Sequence, residues 1–210
     1  MADSTFADMQ ARMADELQRT DLADQIANAI TEACDYYRRD AFFKNDAQAT
    51  QSTSAGLNIY SAPLDIAELR ALFATVSGTV YKLHWKTWDQ LNAEDSNQLS
   101  PVQGPPVDYA LNLLGTGMQL RLFPTPDAVY TLTYNYIQII SPPVNDTDSN
   151  FWTVEARELI RAYARYLLRL NVLNDGASAA VDKTLADEFF RKLKLETGMK
   201  KFTGRLRPWW

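Results

Sequence analysis

Apolar residues recur every three or four positions at Leu22, Ile26, Ile30, Ala33 and Tyr37, the spacing that gathers side chains on one face of an α-helix. Thr20 or Asp21 stands where a capping oxygen is expected. A shorter stripe of Phe6, Met9, Met13 and Leu17 predicts a helix ahead of it. After Asp40 the pattern changes to short extended pieces. Phe42 and Phe43 begin one, and AQATQSTSAGLNIYSAP holds one or two more, ending at Pro63. Leu64 to Phe73 alternates poorly, whereas VSGTVYKLHW over residues 76–85 predicts a hairpin turning at Ser77-Gly78. Trp85 to Leu91 predicts one helical turn, followed by the polar run NAEDSNQLSP.

The stretch from Gly104 to Ile137 predicts a β-meander. Polar and apolar residues alternate over Met118–Phe123 and again over Val129–Ile137, which sends side chains to opposite faces of two strands. Gly115-Thr-Gly117 offers a tight turn before the first, because glycine reaches positive φ without a Cβ clash. Pro124, Pro126 and Asp127 stop that strand and turn the chain.

Ser141-Pro-Pro-Val-Asn-Asp-Thr-Asp-Ser-Asn is rich in turn formers and marks the exit from the β block. Helix returns with Thr153 as its expected cap and Leu159, Ala162, Tyr163, Tyr166, Leu167 and Leu170 on one face. Asn174-Asp-Gly176 breaks it. A second helix follows with the stripe Val181, Leu185, Phe189, Leu193, and Gly198 is its expected stop. Together these two form an αα-hairpin. The expected class is α+β: a helical bundle built from the N- and C-terminal helices, with an inserted antiparallel β subdomain. Residues 1–40 and 150–198 form the bundle, 41–149 the mostly β insertion, and 199–210 an extended basic aromatic C-terminal arm.

Charge sharpens the view of that arm. The formal net charge of the 210 residues is -5, yet residues 190–210 hold seven bases against one acid, while residues 1–40 hold nine acids against four bases. A basic segment on an acidic body reads as a contact for nucleic acid or as a docking arm for an acidic protein surface. Its two terminal tryptophans favour docking, because large exposed aromatics mark contact sites. No run of about 18 apolar residues predicts a membrane span. The N-terminus has neither the basic nor the apolar region of a signal peptide, so synthesis in the cytoplasm is expected. A single cysteine, Cys34, excludes an internal disulfide framework.

Candidate chemistry is sparse. His84, the one histidine, lies inside a predicted strand without a second histidine or cysteine at zinc-ligand spacing. No GxSxG elbow accompanies it. Cys34 falls beside a helix stripe and reads as a packing residue. Asp146 and Asp148 sit in a turn-rich loop without the glycine and terminal glutamate of a calcium-binding loop. Gly115-Thr-Gly117 lacks the third glycine of a dinucleotide loop, and no Walker-type lysine follows a glycine loop. No enzyme activity, cofactor or metal is expected.

The order of motifs resembles the head-to-tail adaptor, or connector, proteins of tailed bacteriophages. Asn58-Ile-Tyr-Ser-Ala-Pro-Leu-Asp65 is similar to a Y-x-L-P-x-D step, with Ala62 where leucine is usual, and Val80-Tyr-Lys-Leu precedes a Trp-containing turn. Gly104-Pro-Pro-Val-Asp-Tyr109 resembles a G-x-P-x-x-Y turn. Leu120-Arg-Leu-Phe-Pro-Thr-Pro-Asp127 resembles an L-x-L-x-P-x-P-D hairpin, and Tyr130 to Tyr136 the strand after it. Phe151-Trp152 and the Tyr/Ala/Leu-rich helix complete the order, from about Leu22 to Leu195. The resemblance implies a homo-oligomeric ring, commonly dodecameric, under the portal protein in the neck of the virion. Such a ring extends the DNA channel without binding DNA specifically, connects to a tail or nozzle protein, and functions in DNA ejection. An extended terminal segment clamps the portal in such proteins. Here that role falls on Lys200, Lys201, Phe202, Arg205, Arg207, Trp209 and Trp210. The alternative reading is a nucleic-acid-binding module using the same basic tail.

Overall fold

The computed structural model describes residues 5–95, 102–114 and 117–202, the last without its side chain. The chain is α+β, with six helices and two four-stranded sheets among the described residues. It divides into two compact units, residues 1–45 with 139–210, and residues 46–138.

The first unit is helical. It comprises α1 (Phe6–Leu17), α2 (Ala23–Tyr37), α4 (Phe151–Val154), α5 (Arg157–Asn171) and α6 (Gly176–Phe202). The α2 stripe is buried as its spacing requires, with Ile26, Ile30, Ala33 and Tyr37 all in the core. Neither Thr20 nor Asp21 caps it. Leu22 takes the N-cap position without a side-chain hydrogen bond, because Asp21 is held by Arg19 at 2.7 Å. Thr5 caps α1 through a reciprocal box with Asp8, and those hydrogen bonds hold the Asp8 carboxyl below the usual carboxylate range.

The return to helix also differs from expectation. Asn150 caps the short α4, its side chain accepting from the backbone of Trp152 and Thr153, and Thr153 sits three residues inside. The backbone N–H of Asn150 donates to Thr153 Oγ1 at 2.9 Å. Trp152 is thereby driven into the core, fully buried, where its indole N–H donates to the Ile140 carbonyl at 3.1 Å. Asn150→Ala is expected to cost about 1 kcal/mol, measured as a shift in the denaturant midpoint at unchanged slope. In α5, Leu159, Ala162 and Tyr163 are buried, but Leu170 is 44% exposed and the buried set continues through Ile160, Ala164 and Leu168. In α6 the buried positions are Ala179, Asp182, Ala186, Leu193 and Thr197, while Val181 faces outward. Asp182 explains the displaced stripe. It lies between Arg165 and Arg169 of α5, each 3.2 Å away, and Arg161 and Arg165 also pair with Glu16 of α1. Asn174, at φ 53°, turns the chain between α5 and α6. The latter then continues through Gly198 to Phe202, so Gly198 is not a stop, and residues 199–202 are helical instead of extended.

The second unit holds two sheets, with strand orders β1-β8-β3-β4 and β2-β7-β6-β5. The strands are β1 (Asp46–Ser52), β2 (Ile59–Ser61), β3 (Ile66–Val76), β4 (Thr79–Lys82), β5 (His84–Trp85), β6 (Asp108–Leu114), β7 (Gly117–Phe123) and β8 (Thr131–Gln138). One core is shared by Leu72, Leu132, Tyr134 and Tyr136 from the first sheet and Tyr60, Tyr109, Leu120 and Leu122 from the second. The expected meander across residues 104–137 does not form. β6 and β7 form a hairpin, but β8 leaves β7 and pairs with β1 and β3 in the other sheet. The chain crosses over at Pro124–Tyr130. Thr53 Oγ1 receives the Tyr130 N–H at 2.8 Å there, and Thr53 itself donates to the Ala128 carbonyl.

The poor alternation of residues 64–73 has a geometric cause, since β3 shifts register against β8 twice, between Ile66 and Glu68 and between Leu69 and Ala71. The hairpin of residues 76–85 turns at Ser77 and Gly78, both at positive φ, as a two-residue turn requires. It is shorter than expected. At the buried Leu83 the chain changes sheets, and β5 runs parallel to β6. The Gly115-Thr116 part of the other expected turn lies outside the described residues.

Strand β7 shows why alternation understates burial. Leu120 and Leu122 enter the core between the sheets, yet Arg121 on the opposite face is buried too. Helix α3 (Trp88–Glu94), capped by Thr87, covers that face. Arg121 pairs with Asp95 at 2.8 Å, donates to Asn92, and lies 5.8 Å from the centre of the Trp88 ring.

Candidate functional site

The residues weighed as candidates for chemistry make structural contacts. His84 is on the short β5 with its side chain exposed, 3.7 Å from an Asp108 oxygen, and Asp108 is engaged by Lys86 at 2.8 Å. Cys34 is fully buried in the helical core, and burial pushes its thiol pKa up, away from the thiolate form needed of a nucleophile. Asp148 accepts the backbone N–H groups of Val144 and Asn145, which hold its carboxyl below the usual range. It shapes a turn whose Asp146 and Asp148 carbonyls receive the first N–H groups of α1. Among the described residues no three His, Cys, Asp or Glu side chains converge as metal ligands. None of the described helices is long and apolar enough to cross a membrane.

What remains is the surface around the C-terminal half of α6. Phe42 and Phe43, expected to open a strand, belong instead to the helical core, and β1 begins only at Asp46. Lys194 of α6 reaches across them. Its ammonium lies 2.9 Å from Asp40, donates to the Ala41 carbonyl at 3.2 Å, and sits over the rings of Phe42 and Phe190 at 4.8 and 5.2 Å. One turn and a half later Lys200 lies 3.6 Å over the Phe43 ring and 2.6 Å from Glu196. Lys44 completes the set by pairing with Glu155 at 2.7 Å. That hydrogen bond holds the Glu155 carboxyl below the usual range. Each contact couples a lysine to an aromatic face or a carboxylate, and cation–π contacts at partly exposed sites such as these are worth about 0.5–1 kcal/mol apiece. They offset the roughly 1 kcal/mol cost of a glycine inside a helix, which accounts for the passage of α6 through Gly198.

Of the residues expected to bind a partner, Lys200 and Lys201 lie on the last turn of α6, and Phe202 is its final residue. Lys201 is exposed. Arg205, Arg207, Trp209 and Trp210 lie outside the described residues. Beside Lys200 the structure adds groups that reading the chain alone did not single out. An open groove of about 650 Å³ runs along α6, lined by Phe190, Arg191, Lys194, Leu195, Gly198 and Met199. Leu195 and Met199 are 66% and 67% exposed. A signal for this surface does exist in the sequence. Phe42-Phe43-Lys44 and Phe189-Phe190-Arg191-Lys192 repeat one texture, two adjacent rings followed by a base.

A surface of exposed apolar and basic groups, with the potential reactive residues held in structural contacts, suits recognition of another macromolecule. Comparison with curated proteins returned no match. A family model described as SU10 adaptor protein matches residues 4–208, nearly the whole chain. The match takes in both compact units and the basic end of α6, and the chain belongs to the SU10 adaptor protein family of bacteriophages.

Proposed function

We propose that this adaptor is a structural component of the virion neck that joins head to tail. Copies form a dodecameric ring beneath the portal. The ring extends the DNA channel and hands it to a tail or nozzle protein. The helices of the N- and C-terminal parts form a bundle that builds the ring wall, and the β unit, inserted between them, meets neighbouring proteins. The segment 203–210, continuing from a firmly held α6, clamps the portal together with Lys200, Lys201 and Phe202. The observation that carries this reading is the family match over residues 4–208. An acidic body supports passage of DNA without retention, since binding to phosphates requires an excess of positive charge.

The docked position of Lys200 fixes where a truncation should be made. Removing residues 199–210 would cut into α6 and its contact with Phe43, whereas removing 203–210 leaves every described contact in place. The chain ending at Phe202 is expected to remain folded and to lose attachment to portal-containing heads, read by co-sedimentation and by imaging of purified necks. Normal attachment by the shortened chain would overturn the clamp. Retention of DNA by the full chain, falling steeply with salt, would instead favour the nucleic-acid reading.

A further inference from the structure

Two helix faces of the first unit are uncovered and opposite in character. On α2, Asp24, Asn28, Glu32 and Tyr36 follow one another at one-turn intervals and are all exposed. Tyr36 is 61% exposed, and its ring stacks on Tyr163 at 4.6 Å, which holds it in place as a flat platform. Asp35 beside it is taken by Arg38 at 3.1 Å, so Asp24 and Glu32 carry the acidic character. On α6, Arg191, Leu195 and Met199 follow at the same interval with Lys192 alongside, all exposed. The order along each helix is the same, charge first and apolar surface one turn later.

We infer that the α6 face of one copy docks on the α2 face of the next. Glu32 then meets Arg191 and Lys192, and Tyr36 meets Leu195 and Met199, whose flexible thioether packs well against an aromatic ring. Both faces are exposed within one chain, so a single copy does not satisfy them internally. The contact uses two different surfaces of the same molecule. It is heterologous, and a heterologous contact makes a ring when its rotation closes and an open filament when it does not. Charge complementarity selects a second copy over an unrelated partner. Asp24 and Glu32 on α2 and Arg191 and Lys192 on α6 are exposed and enter no ion pair among the described residues, so each face keeps its charge. The inference rests on the ring reading above and assigns that ring a specific seam.

The test uses the full chain and two variants altered only at exposed positions. One carries Arg191→Glu with Lys192→Glu, and the other Asp24→Lys with Glu32→Lys. Sedimentation velocity over a concentration series should show the parent self-associating, more weakly as salt is raised. Each variant alone should associate about tenfold less well, because like charges now face each other. An equimolar mixture of the two should recover parent-like assembly, since every seam again pairs opposite signs. Carboxyl-to-amine cross-linking of the parent should join Glu32 to Lys192. The seam is wrong if the parent stays monomeric at its highest soluble concentration, if the variants associate like the parent, or if the mixture fails to recover. Incorporation into virions is scored separately. Parent protein that assembles through this seam but is absent from the neck refutes the adaptor role alone, and protein present in the neck with insensitive association refutes the seam alone.

Discussion

Arg121→Ala is expected to destabilise the β unit by about 3–5 kcal/mol, the cost of leaving one member of a buried ion pair without its partner. Arg121 and Asp95 retain only 7% and 6% side-chain exposure. With the guanidinium gone, the polar side-chain contact left to Asp95 among the described residues is Asn58, at 3.5 Å. Asn92 loses its donor as well. The charge is thus stranded between α3 and the β6–β7 hairpin. The paired replacement Arg121→Met with Asp95→Leu should recover most of the loss, because removing both charges also removes the cost of burying them. Urea unfolding gives the magnitude, and backbone hydrogen exchange locates it, with β6, β7 and α3 opening and α5 unchanged. A single substitution within about 0.5 kcal/mol of the parent would mean that the pair is solvated and contributes as a surface bridge does.

Trp152→Ala is expected to cost a similar amount in the helical unit, about 3–5 kcal/mol. The indole has no exposed surface. Its ring centre lies 5.1 Å from that of Phe151 and 6.0 Å from that of Phe42, in edge-on arrangements. Phe42 in turn lies under Lys194. A cavity at Trp152 therefore loosens the platform on which Lys194 rests, and Lys194 should become more reactive to amine-directed labelling. Trp152→Phe should cost less, since it keeps most of the volume and forfeits mainly the hydrogen bond to the Ile140 carbonyl. If Trp152→Ala unfolds at the parent's midpoint, this aromatic cluster does not hold the unit together.

The two predictions fall on residues that the hydrophobic pattern treats very differently. Trp152 follows Phe151 directly before a strongly apolar helix, and a core position is legible there. Arg121 sits at a polar position of an alternating strand, where outward exposure is the default. It is buried because α3, some thirty residues earlier, folds across the outer face of β7. Alternation reports which side chains share a face and is silent on what covers that face.

By itself the sequence determined the helices, the turn at Ser77-Gly78 and the order of motifs that points to an adaptor. Helical periodicity and turn chemistry are local properties, fixed by residues within a few positions of each other. Only the tertiary structure decided strand partners and element ends, because these depend on contacts across the chain. The separation of β8 from β7 reflects a pairing choice among strands distant in sequence. Passage of α6 through Gly198 depends on rings at Phe42 and Phe43, roughly 150 residues away. The basic character of the C-terminal end was legible from residue types alone. Its placement beside an exposed apolar groove followed from folding, since exposure is a property of the packed molecule and not of the residue.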